Sequence, residues 1–289
     1  MDAARTLRSG DGSFPASLAR IARSPASLRV RGDLGRPVRR VAVVGTRHPD
    51  EYGRETAGRL SRGLARAGIS IVSGGALGID AAAHEGALAV GGHTVAVLGC
   101  GVDVVQPPSH RALFERILEA GGALVSEYQD GTPAARWTFP ERNRIIAGLS
   151  DAVVVVRAGP RSGALITARW ARAQGVPVLA VPGDVDQELS AGGIELLRAG
   201  ARVAAGPEDV LGLLGVAPGS QGELPLPAAP ADPAARACLD ALGAGARHLD
   251  ELARAAGIGT GVALAALLGL ELEGLVEQRP GHYFLRRAA

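Results

Sequence analysis

The segment Arg136-Trp-Thr-Phe-Pro-Glu-Arg-Asn-Arg-Ile-Ile-Ala-Gly-Leu-Ser150 sets Trp137 and Phe139 among arginines, in a chain with only nine aromatic residues. Residues 131–172 carry seven Arg against two acids, Glu141 and Asp151. Cations track phosphates and aromatic faces stack on bases, so this composition suits a groove for single-stranded nucleic acid. Phe139 precedes Pro140, which predicts extended backbone there and puts Trp137 and Phe139 on one side. Pro140 then opens a helix carrying Arg142, Asn143 and Arg144, with Ile145, Ile146 and Leu149 as its apolar stripe. Arg142 falls near the centre of that stripe, where a buried, paired structural role competes with lining a groove. Phe139 and Trp137 have a parallel alternative as plain core residues.

Three glycine-rich turns could meet this segment: Gly45-Thr46-Arg47, Ser73-Gly74-Gly75 running on to Asp80, and Val156-Arg-Ala-Gly-Pro-Arg161-Ser162-Gly163. Glycine lets backbone approach a ligand closely, and helix N-termini present free N–H groups to anions. Ser162 is placed to cap a helix, with Arg161 adding a full charge beside it. No G-x-G-x-x-G follows the first turn, where the chain reads Gly45-Thr-Arg-His-Pro-Asp50, which argues against NAD or FAD. A Walker A motif is excluded because the chain has no Lys. His84 lies four residues after Asp80 on one helix face, as a hydrogen-bonded structural histidine or as an orienter of water or phosphate. There is no H-E-x-x-H, no G-x-S-x-G and no Cys–His pairing by spacing. No catalytic site, cofactor or metal is expected.

These turns need a scaffold. Apolar runs at Val41–Val44, Ile69–Val72, Thr94–Leu98, Ala123–Val125, Ala152–Val156 and Val178–Val181 alternate with helical patterns near 51–66, 79–90, 109–119, 141–149 and 163–174. Unbroken apolar strands alternating with helices predict a parallel sheet covered on both faces. The expected fold class is α/β: a Rossmann-like parallel-sheet domain over residues 41–214 with a small C-terminal winged-helix domain over 234–289. Residues 1–40 read as a basic, irregular N-terminal arm packing on the core. Residues 215–233 read as a Pro/Gly/Ala-rich linker. Helical stretches at 234–242, 248–256 and 260–273, then a hairpin around Pro280-Gly281, suggest the winged helix. Strand carboxyl ends share one sheet edge, so the three turns should gather there.

The net charge is only +2, so a local patch rather than global charge has to carry any nucleic-acid reading. The arm holds nine Arg against three Asp. Two cysteines, Cys100 and Cys238, imply no disulfide framework. No leader-like segment and no apolar run of ~20 residues is evident, which sets the expectation of a cytoplasmic protein with no membrane association.

Gly45-Thr-Arg47, Ser73-Gly-Gly-Ala-Leu-Gly-Ile-Asp-Ala-Ala-Ala-His84, Leu98-Gly-Cys-Gly-Val-Asp103, Phe139-Pro-Glu-Arg-Asn-Arg-Ile-Ile-Ala-Gly-Leu-Ser150 and Arg161-Ser-Gly-Ala-Leu-Ile-Thr-Ala168 together resemble the DprA/Smf family of DNA-processing proteins. So do Phe14-Pro15 and Leu28-Arg-Val-Arg-Gly-Asp-Leu34. The resemblance covers nearly the whole chain. It implies a Rossmann-like core that binds single-stranded DNA as a homodimer and helps load the RecA recombinase in natural transformation and competence, without catalysis. It makes Arg47 a phosphate ligand and sets Arg136 and Phe139 on the strand path. Arg142, Arg144 and the Arg161-Ser162-Gly163 turn line the groove, with Gly45, Thr46, Ser73, Gly74, Gly75 and Asn143 among the contacts. Arg111 falls where the family often has a DNA-contacting basic residue.

Two departures from the family pattern stand out. Many members carry an N-terminal SAM-like helical domain, and this chain is expected to start too late to hold one. The family usually has an Asn in a turn that here reads Gly192-Gly-Ile194-Glu195, so an apolar Ile194 is expected in the pocket. The presumed recognition helix, 260–273, has no Arg and carries Glu271 and Glu273, which favours protein contact over reading of a duplex. Arg279, His282, Arg286 and Arg287 in the wing could touch a backbone non-specifically. Two competing readings are a nucleotide-processing enzyme and a DNA-free nucleotide-binding scaffold. The enzyme reading needs P-G-G-x-G-T-x-x-E, whereas the Ser73–Asp80 turn lacks the Pro and has no Glu at that spacing.

Overall fold

The computed structural model describes residues 4–35, 39–216, 232–242, 246–272 and 275–286. Most of the linker expected at 215–233, with Glu273 and Arg287, lies outside them. The chain divides into two compact units, Met1–Gln221 and Gly222–Ala289.

In the larger unit the elements run β1 (Arg5–Arg8), α1 (Ala16–Ala19), β2 (Ser27–Gly32), β3 (Arg40–Val44), α2 (Glu51–Arg66), β4 (Ser70–Ser73), α3 (Ile79–Leu88) and β5 (Thr94–Val97). Next come α4 (Arg111–Glu119), β6 (Ala123–Ser126), α5 (Thr138–Gly148), β7 (Ala152–Val155) and α6 (Gly163–Ala173). The unit closes with β8 (Val178–Ala180), α7 (Glu188–Arg198), β9 (Arg202–Val203) and α8 (Pro207–Leu214). The described strands form one sheet in the order β1-β2-β6-β5-β4-β3-β7-β8-β9. From β6 to β9 the pairing is parallel. β4 to β8 are buried along their whole length, as strands covered on both faces must be. Apolar clusters cover both faces: Ile145, Leu165 and Ala168 on one, Leu60, Ile79 and Ala83 on the other.

The topology decides where the site lies. From β3 the chain winds outward to β6, then α5 returns it to the other side of β3 as β7. The switch point therefore falls between β3 and β7, where Val44 sits beside Val155 and the following loops diverge.

The expected irregular arm is corrected. Residues 5–8 and 27–32 are strands, and β2 pairs antiparallel with both β1 and β6. Phe14, Leu18, Leu28 and Val30 are buried in the core. Several of the arm's arginines are spent on acids: Arg5 on Asp33, Arg23 on Glu141, Arg29 on Asp130 and Arg39 on Asp151.

The smaller unit packs α9 (Pro233–Ala241), α10 (Leu249–Ala256) and α11 (Thr260–Leu272) against a sheet of β10 (Arg247–His248), β11 (Val276–Arg279) and β12 (Tyr283–Arg286). β11 and β12 form the hairpin, with Arg279 opposite Tyr283. Cys238, Leu252, Leu267, Val276 and Phe284 fill its core. This is a winged helix. On α11, Val262 and Leu268 face solvent, while Glu271 Oε1 accepts the Gln278 N–H (3.1 Å) and is tied to the wing.

Candidate nucleic-acid interface

At the switch point a cleft of about 550 Å³ opens between the loops after β3 and β7 and the start of α5. Gly45, Thr46 and Arg47 form one wall, Arg161, Ser162 and Gly163 another, and Arg136, Phe139, Arg142 and Asn143 a third. Backbone hydrogen bonds tie the walls together: Thr46 N–H donates to Arg157 O (2.7 Å), and Ile79 N–H donates to Thr46 O (3.1 Å). Ser162 caps α6 by accepting the Ala164 N–H (3.3 Å). Asn143 Nδ2 donates to Gly163 O (3.1 Å), joining α5 to that turn.

Phe139 is half-buried at the centre. The Arg47 guanidinium lies 5.1 Å from its ring centroid and that of Arg142 5.7 Å away. Arg47, Arg136 and Arg161 are exposed and form no ion pair among the described residues. They are therefore available to phosphates.

The floor holds two buried, opposite charges, each satisfied by backbone. Arg142 is only 5% exposed and donates Nη1 to the carbonyls of Gly74 and Val97. Asp80, 7% exposed, accepts the N–H groups of Gly74 (3.2 Å) and Ala76 (3.3 Å). Both side chains close on Gly74, where a Cβ would lie 2.4 Å from Arg142 Nη2 and 2.6 Å from Asp80 Oδ2. Only glycine fits. Burial pushes the Asp80 carboxyl up, against the opposing pull of Arg142 and the turn's donors. Burial likewise lowers the Arg142 pKa, with Asp80 opposing and the Arg47 charge adding to the shift.

Beneath the loop after β7, Arg157 pairs with Asp50 (2.6 Å), the N-cap of α2, and also holds Ser190 and Gln187. Partial burial pushes the Asp50 carboxyl up, but hydrogen bonds from Arg157 and Gly53 outweigh it and hold its pKa low. Gly78, at φ +83°, lets the Arg47 loop pass: a Cβ there would sit 2.5 Å from Thr46 O and 2.6 Å from Arg47 O.

Several expected contacts lie elsewhere. Ser73 is buried, and its hydroxyl donates to Val43 O (2.7 Å). Gly74 and Gly75 are not among the residues lining the cleft, and the Gly74 N–H donates to Asp80. Arg144 is turned away, its guanidinium held bidentate by Glu127 at 2.6 Å with side-chain exposures of 5% and 17%. Arg111 begins α4, exposed and outside the cleft lining. Residues 192–195 are inside α7 rather than in a turn, and Ile194 is absent from the lining; Glu188 and Leu189 take that wall.

The extended backbone expected at Phe139 is also corrected. Thr138 Oγ1 donates to Ala135 O (2.8 Å), and α5 already begins at Thr138. Pro140 then sits in the first turn, where its missing N–H costs nothing. Residues two apart on a helix diverge, so Trp137 points away from Phe139 and is 65% exposed, its ring edge-on to Tyr128.

His84 is structural. Thr94 Oγ1 donates to Ile71 O and so accepts from His84 Nδ1–H (2.7 Å). Complete burial, reinforced by His110 and Arg142, lowers the His84 pKa to about 3.

Sequence reasoning passed over Arg157, His48, Glu188 and Leu189. Arg157 had a signal: it lies two residues after the end of β7, at the switch point. Glu188 lies about 140 residues beyond Arg47, and only the return of α7 to the cleft brings it near.

Residues 5–215 match the family model for DNA recombination-mediator protein A, and residues 222–282 match the DprA winged helix domain. The chain is 44% identical over 254 residues to a putative DNA processing protein DprA of Mycobacterium tuberculosis, covering 86% of this chain and 65% of that one. It is 38% identical over 279 residues to protein Smf of Synechocystis, covering 86% and 70%. The chain thus spans about two thirds of the length of these relatives. The crystal structure of DNA processing protein A from Streptococcus pneumoniae superposes with a TM-score of 0.68 at 38% identity, over 72% of this chain and 74% of that one. DNA processing protein A of Helicobacter pylori, whose structure is described for its single-stranded DNA binding mode, superposes with a TM-score of 0.65 at 31% identity, over 73% and 95%. With two family models matched in tandem, the chain belongs to the DprA/Smf family of DNA-processing proteins.

Proposed function

We propose that this chain binds single-stranded DNA in the cleft between the β3 and β7 loops and acts without catalysis. The carrying observation is the placement of three exposed arginines, Arg47, Arg136 and Arg161, with no ion pair among the described residues, around the half-buried Phe139 ring. Phosphates would sit on the arginines and the N-terminus of α6, and a base on Phe139. Thr46, Gly45, Asn143, Ser162 and Gly163 shape the groove. Arg142 supports it from below.

By family likeness the protein would protect incoming strands and help load RecA in natural transformation, as a cytoplasmic homodimer. Residues 41–214 would carry the DNA site, with 1–40 packed on them. A linker at 215–233 would lead to the winged helix at 234–289. The uncharged outer face of α11, with Val262 and Leu268, favours a protein partner for that unit over a duplex.

The test is oligo-dT binding by fluorescence anisotropy across a salt series. The slope of log affinity on log salt should steepen by roughly 0.7 for each phosphate held. Arg47→Ala and Phe139→Ala should each weaken binding with folding retained. A flat salt dependence, or unchanged affinity in both variants, would overturn the proposal.

A further inference from the structure

Trp137 has no role in the cleft, yet it is the most exposed aromatic side chain among the described residues at 65%. An indole left in water needs a reason, because burying an aromatic ring of this size is strongly favourable. The ring is not loose: Tyr128 meets it edge-on at 6.0 Å and 81°, which leaves the indole positioned with a face open. It directly follows Arg136, a cation that lines the cleft and has no ion pair among the described residues.

The surrounding charge favours a polyanion. Glu127, Asp130 and Glu141, the acids nearest in sequence to this aromatic pair, are neutralised by Arg144, Arg29 and Arg23. The rim beside the loop after β7 differs. Glu188 lines the cleft there, and Asp184 and Asp186 precede it with no arginine partner among the described residues. Beyond Arg161 these acids disfavour a polyanion, so a strand seated on Phe139 continues past Arg136 instead.

We infer that Trp137 is a second stacking platform, outside the cleft, for a base of the same single strand as it leaves over Arg136. This rests on the single-strand reading above. The occupant is the DNA strand itself, argued from continuity with the cleft and from the charge pattern.

The test uses the full chain carrying Trp170→Phe, so that Trp137 is the sole tryptophan. Oligo-dT should quench its emission in step with binding measured by anisotropy on labelled oligo-dT. Trp137→Leu should weaken affinity about tenfold with an unchanged salt slope, whereas Trp137→Phe should retain most of it. Tight binding without quenching, or full affinity in Trp137→Leu, would overturn this inference and leave the cleft proposal standing. Absence of oligo-dT binding by the parent chain would overturn both.

Discussion

Replacing Asp80 with Asn removes one charge from the floor of the cleft and changes almost nothing in volume. Asp80 and Arg142 are both nearly excluded from water, and both approach Gly74, so each feels the other's charge without forming an ion pair. Asn can still accept one backbone N–H, but Arg142 is left as a buried cation without its counter-charge. Leaving a buried charge uncompensated in this way costs about 3 kcal/mol. For a unit of this size that is a fall in Tm of about 6–12 °C, or about 1 M in the urea midpoint. Both tryptophans, Trp137 and Trp170, lie in the larger unit, so urea unfolding followed by tryptophan fluorescence reports on the sheet alone. Arg142→Met should be comparably harmful, because it strands Asp80 and the carbonyls of Gly74 and Val97. The double variant should lose less than the sum by about 1–3 kcal/mol. Strict additivity, or an Asp80→Asn protein as stable as its parent, would refute the view that these charges balance each other.

Other perturbations separate the framework from the contact surface. His84 has a pKa of about 3 when folded, against an ordinary value of 6.5, so the folded state resists protonation. Its contribution is fully present above pH 6.5 and is lost as pH falls toward 3, at about 1.4 kcal/mol per pH unit. His84→Asn should flatten that limb in urea unfolding run across pH; an unchanged slope would assign the loss to other groups. Gly78→Ala should displace the Arg47 loop, because its Cβ meets the backbone of Thr46 and Arg47. The expected outcome is an oligo-dT affinity as low as that of Arg47→Ala. Arg161→Ala should make the salt slope shallower by about 0.7 while stability is kept. Arg144→Ala should do the reverse, costing about 3 kcal/mol through its pair with Glu127 and leaving the slope unchanged.

The sequence by itself determined the strand and helix alternation, because strands covered on both faces must be apolar throughout. It located α2 and α6 closely, the first by its helical pattern and the second also through the capping residue Ser162. It marked Arg47, Arg136, Phe139 and Arg161, since each sits in or beside a turn or proline that chemistry explains locally. It was blind to β1 and β2, whose short, arginine-rich strands form only because β6 offers an edge to pair with.

Only the tertiary structure divided the arginines. Arg142 and Arg144 are two residues apart on α5, and neither is free: one is held under the cleft by the carbonyls of Gly74 and Val97, the other by Glu127. Local sequence cannot make that division, because the partners lie 17 to 68 residues away. The same holds for the Ser73–Gly75 turn. It has the composition of an anion cradle, but Asp80 fills it from within, six residues after Gly74. Residue type sets which charges a chain carries. The fold decides which of them are already neutralised, and so which remain to meet a ligand.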